Sequence, residues 1–229
     1  MKYFIEDTTL RGIADAIREK EGTTEPIPTP DMENRIRAIQ SGGSEVYFSP
    51  YGIMYQEVVN FPEDITTLGT TSGQKYYENA TNIKEFNAGG IGTIQPLTFS
   101  KSSIEKFKGL HLTSIGTNAF NNCFQLNSVE LGTDSKLTIA SNAFYSCQKL
   151  TDIVLPPIAM INSDAFRNCL GLKTIKFTST ADTVGGGAFN LCTNITDIYV
   201  PWGEGEVASA PWGATNATIH YNYTEESEV

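Results

Sequence analysis

Positive charge is scarce in this chain. Against 26 Asp and Glu there are 16 Lys and Arg, with 2 His, giving a formal net charge of −10 and a pI near 4.7. Nucleic-acid binders draw much of their affinity from Lys and Arg clustered on phosphate. No basic cluster occurs, so a nucleic-acid partner is excluded. Long hydrophobic runs are missing too: nothing approaches the ~20 apolar residues of a membrane-spanning helix, and no membrane insertion is expected. The opening "MKYFIEDTTLRG" has one Lys and a three-residue apolar run before Glu6 and Asp7. That is too short for a signal-peptide core, and folding in the cytoplasm is the expectation.

Catalytic signatures are equally sparse. There is no P-loop, dinucleotide fingerprint, HExxH or GxSxG. Gly185 to Gly187 follow no strand-to-helix pattern and read as a turn. His111 and His220 have no sequence link to a nucleophile or a carboxylate. The 4 cysteines include no C-x-x-C pair of the kind zinc sites use. No metal, cofactor or catalytic residue is therefore assigned, and the chain reads as a non-enzyme. With 18% charged and 10% aromatic residues, composition still indicates a folded, β-rich protein.

What the chain does have is a repeat. Its cysteines lie in four copies of one phrase: "IGTNAFNNCFQLNSVEL" from Ile115, "IASNAFYSCQKLTDIVL" from Ile139, "INSDAFRNCLGLKTIKF" from Ile161 and "VGGGAFNLCTNITDIYV" from Val184. Cys123, Cys147, Cys169 and Cys192 are spaced 24, 22 and 23 residues apart. The second half of the phrase extends the count upstream, through Ile83, Ile104, Leu126, Leu150, Leu172 and Ile195. A second apolar column follows it: Phe86, Phe107, Val129, Ile153, Ile175 and Ile198. In the first copy Tyr77 takes the Phe slot and Ala80 the Cys slot; the second copy reads as degenerate, with Thr98 and Lys101 there. A further, atypical rung is placed near Ile65 and Leu68.

Alternating apolar residues over each short segment indicate a half-buried strand. The period falls in the range of leucine-rich repeats, where each turn gives one short strand to a parallel sheet. The Ala-Phe-x-x-Cys portion has helical spacing and predicts a helical turn opposite the strand. Phe120, Phe144, Phe166 and Phe189 then form an inner ladder. Six rungs at ~4.8 Å give a solenoid on the order of 29 Å long.

The phrase Ala-Phe-x-x-Cys-x-x-Leu-x-x-Ile-x-Leu resembles the BspA-type leucine-rich repeat of bacterial surface and phage-associated proteins, over roughly residues 65–200. The resemblance implies a right-handed solenoid used for adhesion or recognition. The fold class expected is thus an α+β repeat solenoid with short parallel strands and helical turns, preceded by a small two-helix module.

That module is "TTLRGIADAIREKEGTTEPIPTPDMENRIRAIQSGG". Thr8 or Thr9 caps a first helix whose apolar side is Leu10, Ile13, Ala14 and Ile17; Pro30 and Asp31 open a second, with Met32, Ile36 and Ile39 on one side. Helices this short cannot bury their apolar sides alone, so they are expected to pack on a partner or a second subunit. The segment "LRGIADAIREKEGTTEPIPTPDMENRIRAI" is similar to an N-terminal helical module of tail and baseplate proteins in phages and prophages of Gram-positive bacteria. The likeness implies virion attachment or homo-oligomerisation through Leu10, Ile13, Ile17, Met32, Ile36 and Ile39. The division expected is a helical module at 1–42, a linker and N-terminal cap at 43–64, repeats at 65–200, and a C-terminal cap and polar tail at 201–229.

One cysteine per repeat in one register reads as a small buried residue in a recurring pocket; stacked disulfides and metal or catalytic roles are the less favoured alternatives. Trp202 and Trp212, in two "PWG" phrases, read as cap packing or as a carbohydrate-stacking site. On the strand face, Glu85 falls beside Lys106 and Lys108 beside Glu130, pairs that relieve charge repulsion in the ladder. Val154, Lys176 and Tyr199 make the less self-satisfied end and are the candidate partner-binding residues, with Trp202 and Trp212.

The function expected is a non-enzymatic phage or prophage tail or baseplate protein, assembled in the host cytoplasm and carried on the virion. Its partners would be a virion protein, a host cell-surface glycan or protein, or both. A bacterial surface adhesin is the alternative. A carbohydrate-active enzyme using Asp152 and Asp197 is the distant one: these share a column two rungs apart, about 9.6 Å by strand spacing.

Overall fold

The computed structural model describes residues 58–61, 63, 77–132 and 134–224. The chain divides between Gly52 and Ile53 into two units, and every described residue belongs to the second. The two helices expected at 1–42, with Leu10, Ile13, Ile17, Met32, Ile36 and Ile39, lie outside the described residues, as do the rung expected near Ile65 and Leu68 and the tail from 225.

Among the described residues twelve short strands wind as a solenoid. On what we call face one, β1 (Val58–Asn60), β2 (Glu85–Asn87), β4 (Lys106–Gly109) and β6 (Ser128–Leu131) form one parallel sheet. A second sheet there contains β8 (Asp152–Leu155), β10 (Thr174–Phe177), β11 (Asp197–Tyr199) and β12 (Thr218–His220). Registers follow the apolar columns read from sequence: Phe86 opposes Phe107, Phe107 opposes Val129, and Ile153 opposes Ile175, which opposes Ile198. The alternation works because successive residues point to opposite sides of a strand. Phe86, Phe107, Ile153, Ile175 and Ile198 are buried, while their flanking residues face outward.

Four turns make a second strand that the sequence did not announce. β3 (Thr93–Ile94), β5 (Ser114–Ile115), β7 (Leu137–Ile139) and β9 (Ile158–Ile161) form a third parallel sheet on face two. Two to four residues are too few for alternation to register; the buried Ile94, Ile115, Ile139 and Ile161 recur in one column.

The third side corrects an expectation. Ala-Phe-x-x-Cys is not a helical turn but a chain of β-turns. In the rung from Ile115, Ala119, Asn121 and Cys123 donate to the carbonyls three residues back, at 3.1, 3.2 and 3.2 Å. The alternate amides of Asn118, Phe120 and Asn122 donate instead to Ser141, Ala143 and Tyr145 of the next rung, at 3.3, 2.7 and 2.8 Å. Asn118 and Asn122 have φ of 57°, as do their equivalents Asn142, Ser146, Asp164 and Asn168 within a few degrees. A left-handed residue at the third place of a turn is the type II signature, and Asn and Asp tolerate it. Such residues break right-handed helical continuity and free every second amide to tie rungs together.

Inside the turns the aromatic ladder is longer and more regular than expected. Tyr77, Phe99, Phe120, Phe144, Phe166 and Phe189 stack with successive centroids 5.3, 5.0, 5.0, 4.9 and 5.3 Å apart. The second copy is therefore not degenerate. Phe99, not Thr98, fills the Phe slot, and Ser102, not Lys101, fills the Cys slot, with Ser102 Oγ 3.5 Å from Cys123 Sγ. One residue fewer between Ser102 and Ile104 than between Cys123 and Leu126 shifted the apparent register.

The cysteines do more than occupy volume. All four are free and buried. Each thiol donates to the Phe carbonyl one rung earlier: Cys123 to Phe99 at 2.9 Å, Cys147 to Phe120 at 3.3 Å, Cys169 to Phe144 at 3.0 Å and Cys192 to Phe166 at 2.9 Å. The same carbonyls accept the backbone amides of Ser102, Cys123, Cys147 and Cys169 in their own turns.

Face one is interrupted once. β6 ends one sheet and β8 begins the next, although the two remain neighbours. This is where the cysteine spacing is 24 residues, the longest, and where Gly132 passes so close to the Leu110 carbonyl that a Cβ would stand 1.8 Å from it. Val129 and Leu131 are only half-buried here, unlike Phe107 before them and Ile153 and Leu155 after them. The other two sides stay continuous through β5, β7 and the Phe120 to Ala143 hydrogen bond.

Candidate binding face

The two halves of face one carry different outward residues on the same backbone. In the N-terminal half, charges answer each other across adjacent rungs. Lys106 Nζ lies 2.5 Å from Glu85, Lys108 Nζ 2.8 Å from Glu130 and Lys84 Nζ 3.1 Å from Glu105, and Asn87 donates to Asn60. The hydrogen bond from Lys106 to Glu85, together with that carboxylate's charge, raises the Lys106 pKa above its ordinary value.

In the C-terminal half the register aligns Val154, Lys176, Tyr199 and His220 in one column. Tyr199 and His220 stack with centroids 4.5 Å apart and planes 12° from parallel, and Tyr223 leans on Tyr199 at 4.7 Å and 57°. Lys176 Nζ donates to the Tyr223 hydroxyl at 3.0 Å and lies 4.8 Å from the centre of that ring. In the parallel column, Asp152, Thr174, Asp197 and Thr218 are in register. His220 Nε2 is 2.8 Å from Asp197 Oδ1, a hydrogen bond that holds the Asp197 carboxyl below the usual carboxylate range, with help from Thr196.

Of the residues singled out by sequence, Val154, Lys176 and Tyr199 come together here, with Val154 51% exposed. Trp202 and Trp212 do not. They are 2% and 0% exposed, packed edge-on to each other at 6.3 Å and against Phe177 at 5.0 and 5.9 Å. Trp212 Nε1 donates to Ala208 at 2.8 Å, and the Trp212 carbonyl accepts the amide of Phe189. Both rings close the end of the core, which withdraws them as stacking platforms for a ligand.

His220 and Tyr223, which join Asp197 and Tyr199 here, are members the sequence reading missed. Adding one more step to the column would have found His220, since Ile219 continues Ile198 in register and so places His220 beside Tyr199. His111 lies elsewhere, between Glu63 at 3.2 Å and Asp134 at 3.1 Å. Asp152 and Asp197 are separated by Thr174, two rungs apart, with no thiol or second histidine in their columns. The cysteines offer no nucleophile to the face. Burial pushes the Cys123 thiol up to about 11 and raises Cys147 and Cys169; a hydrogen bond with Cys169, then burial, raises Cys192. Among the described residues no group of three or more His, Cys, Asp or Glu is placed to hold a metal, and no helix is long and apolar enough to cross a membrane.

The profile of the BspA type leucine rich repeat region, in six copies, matches this chain over residues 55–127 and 70–196. The chain belongs to that family. Among solved structures, a leucine-rich repeat protein from Bacteroides ovatus superimposes with a TM-score of 0.56 at 21% identity, over 72% of this chain and 42% of that one. The T. pallidum leucine rich repeat protein gives 0.47 at 22% identity, covering 75% and 72%. The pneumococcal vaccine antigen PcpA gives 0.48 at 15%, covering 75% and 52%. No curated protein sequence matches. The Bacteroides ovatus likeness supports the fold of the BspA-type repeats and nothing finer, and this chain spans well under half of that protein's length. The repeat architecture fits a binding role.

Proposed function

We propose that this BspA-type repeat protein is a non-enzymatic tail- or baseplate-associated protein of a phage or prophage. Its first 42 residues attach it to a virion protein and join copies through Leu10, Ile13, Ile17, Met32, Ile36 and Ile39, and its repeats display face one to a host-surface glycan or protein. It is assembled in the host cytoplasm and carried on the virion. It takes no cofactor, binds no nucleic acid and inserts in no membrane. The likeness of "LRGIADAIREKEGTTEPIPTPDMENRIRAI" to phage tail modules supports the virion assignment.

The observation that carries the display role is the asymmetry of face one. Its N-terminal half is closed by its own ion pairs, whereas its C-terminal half groups Val154, Lys176, Tyr199, His220 and Tyr223. Tyrosine anchors such as Tyr199 and Tyr223, buried on association, contribute more to it than rim ion pairs do. A bacterial surface adhesin is the second reading, favoured by the family's repeats alone.

Two measurements test this. Binding of the full chain to host cell walls should weaken with Tyr199→Ala and with Lys176→Ala; undiminished binding removes the face as the site. Light scattering on the full chain and on a version beginning at Ser44 should show loss of the oligomer; an unchanged oligomer rules out the N-terminal role.

A further inference from the structure

We infer that the occupant of the C-terminal half of face one is a short neutral glycan of two or three sugar units. The inference rests on the display reading above and gives its ligand a chemical class.

Size decides first. Four strands at ~4.8 Å span about 14 Å, and two outward positions per strand about 7 Å, so the patch is on the order of 100 Å² in plan. A specific protein partner needs about 800 Å² per side. To the N-terminal side the face passes at once into residues already committed to ion pairs, Lys108 with Glu130 and Lys106 with Glu85. The patch therefore suits a small ligand whose units repeat at about the strand spacing.

Charge decides next. The columns hold two carboxylates, Asp152 and Asp197, against the Lys176 ammonium and the His220 imidazole. That is within one charge of neutral, so the patch selects neither a polyanion nor a polycation, despite the −10 of the whole chain.

Chemistry decides the class. Tyr199 and His220 stack and Tyr223 tilts against Tyr199 at 57°, a half-exposed ring cluster that suits the apolar C–H faces of a pyranose. Asp152 is exposed, and it is the face-one carboxylate to which no Lys, Arg or His among the described residues is paired. An ionised carboxylate is an acceptor only, so it asks for donors, and sugar hydroxyls supply them at adjacent positions. Thr174, between Asp152 and Asp197, adds a hydroxyl that both donates and accepts. The Lys176 to Tyr223 and His220 to Asp197 contacts hold these groups before any ligand arrives, which lowers the ordering cost of binding.

The test is a panel of neutral and acidic oligosaccharides, two to four units long, presented to the full chain on an array and followed by isothermal titration. We expect binding of at least one neutral hexose- or N-acetylhexosamine-containing member, at least tenfold weaker with Tyr199→Ala or Tyr223→Ala and several-fold weaker with Asp152→Asn. Lys106→Ala should bind as the unchanged protein does, and unfolding midpoints should show that the variants are folded. Binding confined to acidic members, no binding to any neutral member, or neutral binding indifferent to Tyr199, Tyr223 and Asp152 would each overturn the inference. If the array is blank while Tyr199-dependent attachment to host cells persists, the glycan fails and the display reading stands. If attachment to host cells is itself absent, the display reading fails.

Discussion

The N-terminal and C-terminal halves of face one share a strand geometry and an inward set of apolar residues, yet their outward residues differ. Ion pairs dominate the first, and the second sets rings beside a single Asp197–His220 pair. Glu85, Lys106, Lys108 and Glu130 are answered by the next rung. Tyr199 stacks on His220 and meets Tyr223, Lys176 contacts Tyr223, and Asp152 and Val154 stand exposed beside them. The interior fixes each rung's position, and the outward column is then free to be used either for solubility or for recognition. The change of plan coincides with the break between β6 and β8.

The comparison can be attacked first at the part both halves share. Phe144 stacks between Phe120 and Phe166 at 5.0 and 4.9 Å, fully buried, in the rung just after the break. Phe144→Ala should cost about 3–5 kcal/mol, as truncated core phenylalanines do. Urea unfolding measures it; a loss under 1 kcal/mol would mean the ladder does not unite the halves.

Alkaline pH attacks the same shared interior. An unfolded cysteine ionises near pH 8.5, whereas the buried thiols here hold their protons to higher pH, Cys123 to about 11. Between those values the unfolded chain has released protons that the folded one keeps. The thiol contribution is thus complete below about pH 8.5 and falls as pH rises, by at most about 1.4 kcal/mol per thiol per pH unit. Urea midpoints from pH 8 to 10.5 should decline, less steeply in Cys147→Ala. On the unfolded protein, thiol counting should find four reactive groups.

The outward plans are then separated by one pair of variants. Tyr199→Ala should abolish most ligand attachment with little change in stability, whereas Lys106→Ala should change neither measurably, since exposed ion pairs contribute little. Equal effects on attachment would erase the distinction between the halves. The smallest effect lies at low pH. The Asp197 carboxyl is held down by His220, so its contribution is present above about pH 3.9 and is lost as pH falls through its lower folded value. His220→Ala should flatten that part of the acid unfolding curve; an identical curve would remove the coupling.

Much of this was legible in the sequence because a repeat shows the same physical problem solved several times. The column headed by Phe86 predicted the face-one registers within each sheet. What escaped had local causes. A one-residue deletion after Ser102 hid Phe99. The turns mimicked helical spacing, since Phe and Cys three apart serve either, and only the Asn, Asp and Ser at left-handed positions tell them apart. Face-two strands were too short to show a period. For the site, Val154, Lys176 and Tyr199 were found by column, while His220 and Tyr223 were hidden in a segment taken for a cap.

The alternate amides of the turns give the solenoid an arrow. Tyr77 donates to Thr98, Phe99 to Ala119, Phe120 to Ala143, Phe144 to Ala165 and Phe166 to Ala188, always toward the C-terminus. The ladder thus presents donors at its last rung and acceptors at its first, so its two ends need caps of opposite hydrogen-bonding sense. The Trp212 carbonyl, taking the amide of Phe189, is the acceptor at the leading end. A copy of the first cap grafted there would meet donors with donors, and a lengthened solenoid would have to gain its new rungs between the caps.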